Sequence, residues 1–351
     1  MSMQDRLDTS VRAWRARSAR RGAAVGAALL LLAGLVLADL MTGPSAMSPG
    51  VLWQTFLAGP QGADRAAAAI LFQIRLPQTV MALIVGGALG LAGLMMQTIL
   101  ANPLASPFTL GFSAAAGFGA ALAIMFGSAL AVPVPGWLLA PACAFVATLS
   151  ATALVWLVAR LKGSQPEVLV LAGIAVLFFF QSLQSLVQFM ASPEVLQQIV
   201  FWLFGSLLKA NWTAIKRAGA IVALCLPLIA RETWALTTLR MGEANAESLG
   251  LDTDALRRRV FLITAALTAA VSFTGTIGFV GLIAPHVARA MVGEDHRFAL
   301  PFAALTGALI LVSASVVSKL LSSGAAIPVG IVTAVAGIPM LAAVILTHRR
   351  S

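Results

Sequence analysis

Long apolar runs broken by short polar stretches make up most of the chain. The runs lie near 22–41, 77–100, 107–127, 136–159, 167–190, 212–231, 258–281, 298–321 and 328–346. Each is close to or above the roughly 20 apolar residues that carry a helix across a bilayer. A shorter run, Leu282 to Val292, lies between the seventh and eighth of these. At a rise of about 1.5 Å per residue it is too short to cross an undistorted bilayer alone. Two forms are open to it: a short tilted span, or re-entrant backbone buried in protein. The pattern predicts an all-α polytopic membrane protein.

Small residues inside the runs predict close helix contacts, because helices in lipid associate through backbone approach rather than a hydrophobic drive. In the second run Gly86 and Gly90 are one turn apart on one face, and Ser113 and Gly117 repeat the device in the third. In the seventh, Gly275, Gly278 and Gly281 recur at spacing three. Taken singly, each glycine reads as helix packing; their density points to a tightly packed bundle. Asn102-Pro103-Leu104-Ala105-Ser106-Pro107 breaks the chain after the second run. Two prolines at that spacing exclude a continuous helix, so a turn is expected.

Composition agrees with the pattern. The chain is 60% hydrophobic and 10% charged, where a soluble domain carries about 25% charged residues. Its mean hydropathy is +0.94. The two cysteines, Cys143 and Cys225, lie within apolar runs; they read as small buried hydrophobes and give no disulfide framework.

Charge settles the number of crossings. The net charge is +10, and most basic residues flank apolar runs, which fits membrane orientation and not nucleic-acid binding. Arg6, Arg12, Arg15, Arg17, Arg20 and Arg21 make residues 1–21 a basic cytoplasmic segment. His348-Arg349-Arg350 marks 348–351 as a cytoplasmic tail. With both termini cytoplasmic the crossings are even in number, so the short run counts as the tenth, and 22–347 forms a single transmembrane domain. Arg160, Lys162, Arg231, Arg240, the triplet Arg257-Arg258-Arg259, Arg289 and Arg297 then fall inside, and Arg65, Arg75 and Lys209 outside. The first run has the basic leader of a signal peptide. Its apolar stretch exceeds the usual 7–15 residues and no clear cleavage site follows, so an uncleaved span is expected.

Several chemistries are absent from the sequence. Ionisable residues within spans mark ion and proton pathways, and here Asp39, Lys216, Arg217 and Lys319 lie only near span ends. An ion-coupled secondary carrier is therefore a weakly supported alternative. His286 stands alone after Pro285 and reads as a structural histidine. No metal-ligand cluster or nucleophile–base pair stands out, so no catalytic residue and no metal site is assigned, and a membrane enzyme finds no support. No G-x-x-x-x-G-K-[ST] phosphate loop occurs. An ATP-driven process would need a separate ATPase.

The longest polar stretch between later runs is 232–256. Within it, 243–249 are mostly good helix formers and Gly250 can stop a helix. A short helix outside the membrane is expected, with Ala244, Leu249 and Leu251 apolar and Glu243 and Glu247 acidic one turn apart. From these residues alone it is either a solvated loop helix or a docking element.

Several segments, running in order from about 75 to 340, resemble the FecCD family of type II ABC-importer permeases. They are Arg75-Leu76-Pro77; Gly90 to Gln97 followed by Asn102-Pro103-Leu104-Ala105 and Leu110-Gly111; Gly242 to Gly250; Gly275 to Arg289; Asp295-His296-Arg297; and Ile327-Pro328-Val329-Gly330 with Gly337. The resemblance implies ten spans per subunit in a bacterial cytoplasmic (inner) membrane. It implies a second permease subunit, identical or related, two cytoplasmic ATPase subunits and an extracytoplasmic binding protein. No cofactor is implied on this chain; ATP and magnesium belong to the ATPase. The implied cargo is a ferric siderophore, with haem or cobalamin as alternatives.

The resemblance also implies roles for residues. Gly242, Glu243, Ala244, Asn245, Ala246, Glu247, Ser248, Leu249 and Gly250 would form the coupling helix region (about 240–252) that seats in the ATPase. Arg75 and Lys319 would meet acidic residues of the binding protein. Gln97, Asn102, Pro103 and Leu104 would belong to the translocation path, and Trp202 and Phe204 to a gating helix within 194–208. Phe201, Trp202 and Phe204 read equally well as membrane-interface aromatics. The chain departs from the family pattern at Gln78, where some members are basic; at Lys319, commonly Arg; at Ser315, often Asp; and at Ala326, usually Glu. These departures bear on docking and not on the fold.

Overall fold

The computed structural model describes residues 3–45, 47–62, 64–127, 135–322 and 327–348. Among them are fourteen α-helices and no strand. In chain order these are α1 (Met3–Met41), α2 (Pro49–Ala58), α3 (Arg65–Ala69), α4 (Leu76–Ile99), α5 (Phe112–Phe126), α6 (Gly136–Lys162) and α7 (Pro166–Met190). Then follow α8 (Pro193–Leu203), α9 (Trp212–Leu239), α10 (Glu243–Ser248), α11 (Thr253–Val271), α12 (Val280–Val292), α13 (His296–Leu321) and α14 (Val329–His348). A π-helical turn, Ile70–Arg75, joins α3 to α4.

The ten expected runs correspond to α1, α4, α5, α6, α7, α9, α11, α12, α13 and α14. Among the described residues, six stretches are long and apolar enough to cross a membrane: Ser18–Met41, Arg65–Ile99, Leu138–Lys162, Pro166–Met190, Trp212–Leu239 and His296–Leu321. The helices α5, α12 and most of α14 are apolar but shorter, and α11 opens on the arginine triplet.

Three boundaries differ from the sequence expectation. Residue 21 is not a helix boundary, since α1 runs unbroken from Met3 through the basic residues and the first apolar run. The seventh run is not one helix: α11 ends at Val271, and 272–279 is irregular before α12 begins. Gly275 and Gly278 therefore sit in a break, and Gly281 lies on the next helix, so they form no helix face. The break is tolerated because protein covers it: Ser272, Thr274 and Ile277 are each at most 5% exposed. It is non-helical backbone at depth that is shielded from lipid. The short run is the helix α12 that follows. In the third run, 107–111 is turn and the helix starts at Phe112.

The bundle is built around α4. Of its most apolar window 78% is buried, against 17% for α1 and 28% for α7. It packs chiefly on α13, α12, α11 and α9. The sequence permits this through glycine. A β-carbon on Gly86 would collide with the Gly307 carbonyl, one on Gly90 with that of Ala303, and one on Gly93 with that of Gly281. The second layer is α5 with α6, α7 and α8, joined to the first by Phe112 edge-on to Phe261, ring centroids 6.2 Å apart.

Candidate coupling surface and translocation elements

The ends of α4, α6, α9 and α12 and the starts of α7, α11 and α13 meet at one end of the bundle, which is rich in arginine. There α10 stands outside the apolar bundle. Its cradle is local: Asp252 caps α11, its carboxylate accepting from Ala255 N at 2.8 Å. The return from α10 is tight, with Gly250 N donating to Glu247 O at 2.9 Å and Leu251 N to Ala246 O at 3.1 Å. Ala246 is fully buried, while Ala244, Asn245, Glu247, Ser248 and Gly250 are exposed. So are the apolar Met241 and Leu249, at 60% and 70%. The region predicted for coupling, Gly242 to Gly250, is thus brought together as one outward surface.

Arginines of the triplet, which the sequence reading used only for orientation, hold this surface. Arg257 is 3% exposed and grips Glu243 with both terminal nitrogens at 2.8 Å. Its Nε donates to the Ile99 carbonyl at the end of α4, at 3.3 Å. Arg259 pairs with Glu232 of α9 at 2.6 Å, and Arg258 is exposed. Hydrogen bonds from Arg257 hold the Glu243 carboxyl below the usual carboxylate range, helped by the arginine's charge and Thr253 and opposed by partial burial.

Beside it, Gln97, Pro103, Arg240, His286, Arg289 and Glu294 share a cavity of about 470 Å³. Gln97 is buried. Its amide donates to Leu282 O at 3.2 Å, and its carbonyl oxygen accepts from Arg289, so it ties α4 to α12. Arg240 makes a two-point pair with Glu294 at 3.0 and 3.1 Å. Asn102 closes the expected turn, accepting from Leu104 N at 2.9 Å; neither of these two residues lines the cavity.

At the opposite end, Arg75 and Lys319 are drawn inward. Arg75 is 3% exposed and donates to the carbonyls of Leu40, at 2.6 Å, and Ser45. Lys319 pairs at 2.8 Å with Asp39, which is fully buried, and also donates to the Asp39 carbonyl at 3.0 Å. The Thr79 hydroxyl donates to the same carboxylate. In this conformation the two cations predicted for docking tie α1, α4 and α13 together. Gln78 and Ser315 are buried nearby, and Ala326 lies outside the described residues.

The predicted gating helix is α8, started by Ser192 and Pro193. Trp202 is 8% exposed, so it is not an interface aromatic. Phe201 and Phe204 are 54% and 40% exposed. The end of α8 is stitched to the break after α11: Ser206 N donates to Thr274 O at 2.7 Å, and the Thr276 hydroxyl donates to Leu203 O. Gly275, at φ +84°, lies against the Trp202 carbonyl, where a side chain would not fit. Trp202, Ser206 and Lys209 line a cavity of about 510 Å³. The predicted path residues thus fall into two groups at opposite ends of the bundle.

One further surface was missed by the sequence reading. On α7, Leu171, Ile174, Phe178, Ser182, Ser185 and Phe189 form one exposed stripe, with Gln181 beside it. Polar side chains in mid-span avoid lipid. Periodicity alone could have located them, but not whether their face was covered.

A membrane-embedded helical bundle with a broken buried helix, cavities at both ends and an extramembrane helix at its arginine-rich end has the architecture of a transporter permease. Comparison with known proteins specifies the family. Residues 29–347 match the FecCD transport family. The hemin transport system permease protein HmuU of Yersinia pestis is 32% identical over 93% of this chain and 96% of its own. The Fe(3+) dicitrate transport system permease protein FecD of Escherichia coli (strain K12) is 35% identical over 77% of this chain and 83% of its own. A metal-chelate type ABC transporter solved in an inward-facing conformation is 30% identical, with a TM-score of 0.81 over 93% of this chain and 99% of that one. The chain belongs to the FecCD transport family and is a multi-pass permease of the type II ABC-importer class.

Proposed function

We propose that this chain is the permease subunit of an ATP-driven importer of ferric siderophores in a bacterial cytoplasmic membrane, with both termini cytoplasmic. It pairs with a second permease subunit, identical or related, and with two ATPase subunits that bind ATP and magnesium. A binding protein delivers cargo from the far side. The observation that carries the reading is α10 and its flanks, which present Ala244, Met241 and Leu249 outward, uncovered by any of the described residues. An ATPase cleft is the natural cover, and ATP-driven closure there would move the helix. The α7 stripe supports a path between two subunits, since Gln181, Ser182 and Ser185 are exposed at mid-span. The iron cargo is supported by the likeness to FecD, named for Fe(3+) dicitrate; the likeness to HmuU, named for hemin, supports haem as the second reading.

The test is uptake by iron-starved cells lacking this gene, offered labelled ferric siderophores, ferric dicitrate, hemin and cobalamin in turn. Loss of uptake of a ferric siderophore, restored by the intact gene but not by Ala244→Arg, is the expected result. Loss for hemin or cobalamin alone would keep the mechanism and replace the cargo.

A further inference from the structure

Among the described residues, one side chain hydrogen-bonds both α10 and the end of the central helix. Arg257 is the fifth residue of α11 and is buried. Its guanidinium is divided between two elements: both terminal nitrogens go to Glu243 at the start of α10, and Nε goes to the Ile99 carbonyl at the end of α4. That carbonyl belongs to a helix C-terminus, where the last acceptors have no intrahelical donor and a cation is favoured. Immediately beyond it lie Ala101 and the Asn102-Pro103 turn. Among the described residues, the other side-chain hydrogen bonds of α10 lead to its own neighbours, Glu243 and Glu247 to Thr253 of α11, at 3.4 and 3.2 Å, and Asn245 to Met241 O at 2.8 Å; Ala246 adds an apolar contact with the core that holds Ile99 and Leu100. At its far side α4 locks on α13 through Gly86, Gly90 and Gly307. A displacement of α10 is therefore passed through the Arg257 fork to the end of the most buried helix.

We infer that Arg257 is a positioning residue that transmits motion of α10 to α4 and so links ATP use to opening of the path. This deepens the importer reading and rests on it. The planar fork matters: lysine keeps the charge but offers one point donor, which cannot grip a carboxylate at two points and a carbonyl together.

The test uses the complete permease–ATPase complex in proteoliposomes, with Cys143 and Cys225 replaced by alanine and a fluorescent thiol probe at position 248 or 101. In the otherwise unaltered protein both probes should respond to magnesium ATP. In Arg257→Lys the probe on α10 should still respond, while the response at 101 falls about tenfold, an ordinary size for coupling between sites. Uptake of the labelled ferric chelate per ATP hydrolysed should fall in parallel. Glu243→Gln, which loosens the same link from its other end, should also silence the probe at 101. A normal response at 101 in both variants would overturn the inference. So would an equal fall in hydrolysis and uptake, or failure of both variants to assemble, since either would make Arg257 a structural tie. Absence of any ATP response at either probe in the unaltered complex would instead strike the importer reading itself.

Discussion

At the scale of single residues, the buried charges carry the strongest consequences. Asp39 is the counter-charge for Lys319, whose side chain is only 10% exposed. Removing one partner of a buried pair leaves an uncompensated charge and typically costs about 3–5 kcal/mol, whereas replacing both by apolar groups of similar size is often neutral. Asp39→Ala should therefore lower the thermal midpoint of the detergent-solubilised permease sharply, and Asp39→Leu with Lys319→Met should recover most of it. If the single substitution melts like the parent, the cluster is not a structural tie. The sequence marked Arg75 and Lys319 as notable but could not give their direction. Asp39 lies 36 positions from one and 280 from the other, and only the helix packing brings them together.

Among the helices, the decisive feature is the closeness of α4 to α13 and α12. Gly86 and Gly87 are neighbours in sequence yet face different surroundings. A β-carbon at Gly86 meets backbone of Gly307, while one at Gly87 has only Ala304 near it, at 3.7 and 4.0 Å. Backbone cannot rotate aside as a side chain can. Gly86→Ala should cost about 1–3 kcal/mol, as overpacking does, and Gly87→Ala should stay within about 0.5 kcal/mol, as unstrained substitutions do. Thermal unfolding of the two variants side by side checks this. The one-turn spacing of Gly86 and Gly90 was legible in the sequence. The spacing of Gly275, Gly278 and Gly281 looked equivalent and was not, because Gly275 meets the backbone of α8 in an irregular segment. Spacing identifies a helix face only where the chain is helical.

Considered as a whole, the molecule has its arginines concentrated at the end that carries α10. The positive-inside rule assigns that end to the cytoplasm. In a protein with Cys143 and Cys225 replaced, a cysteine at Gln165 should react with a membrane-impermeant thiol reagent only in inverted vesicles, and one at Gln61 only in intact cells. The reverse pattern would invert the topology and move α10 away from any cytoplasmic ATPase.

The apolar runs were enough to specify an all-helical membrane protein, with six long apolar helices and further shorter ones among the described residues, because span length and apolar content are local properties of the chain. The short α10 was also legible, since helix formers, acids and a stopping glycine lie within a few residues. The division of the arginine triplet was not. Arg257, Arg258 and Arg259 are identical in sequence terms, and the 100° turn between successive helical residues sends one to α10 and α4, one to the exterior and one to α9. The break at 272–279 was not placed either, although Ser272, Thr274, Gly275, Thr276 and Gly278 interrupt the apolar run there. What unwinds it is the company of the end of α8 and the start of α14, whose backbones take up its hydrogen bonds or pack against it. Local pattern decided what enters the membrane; long-range packing decided which buried groups meet there.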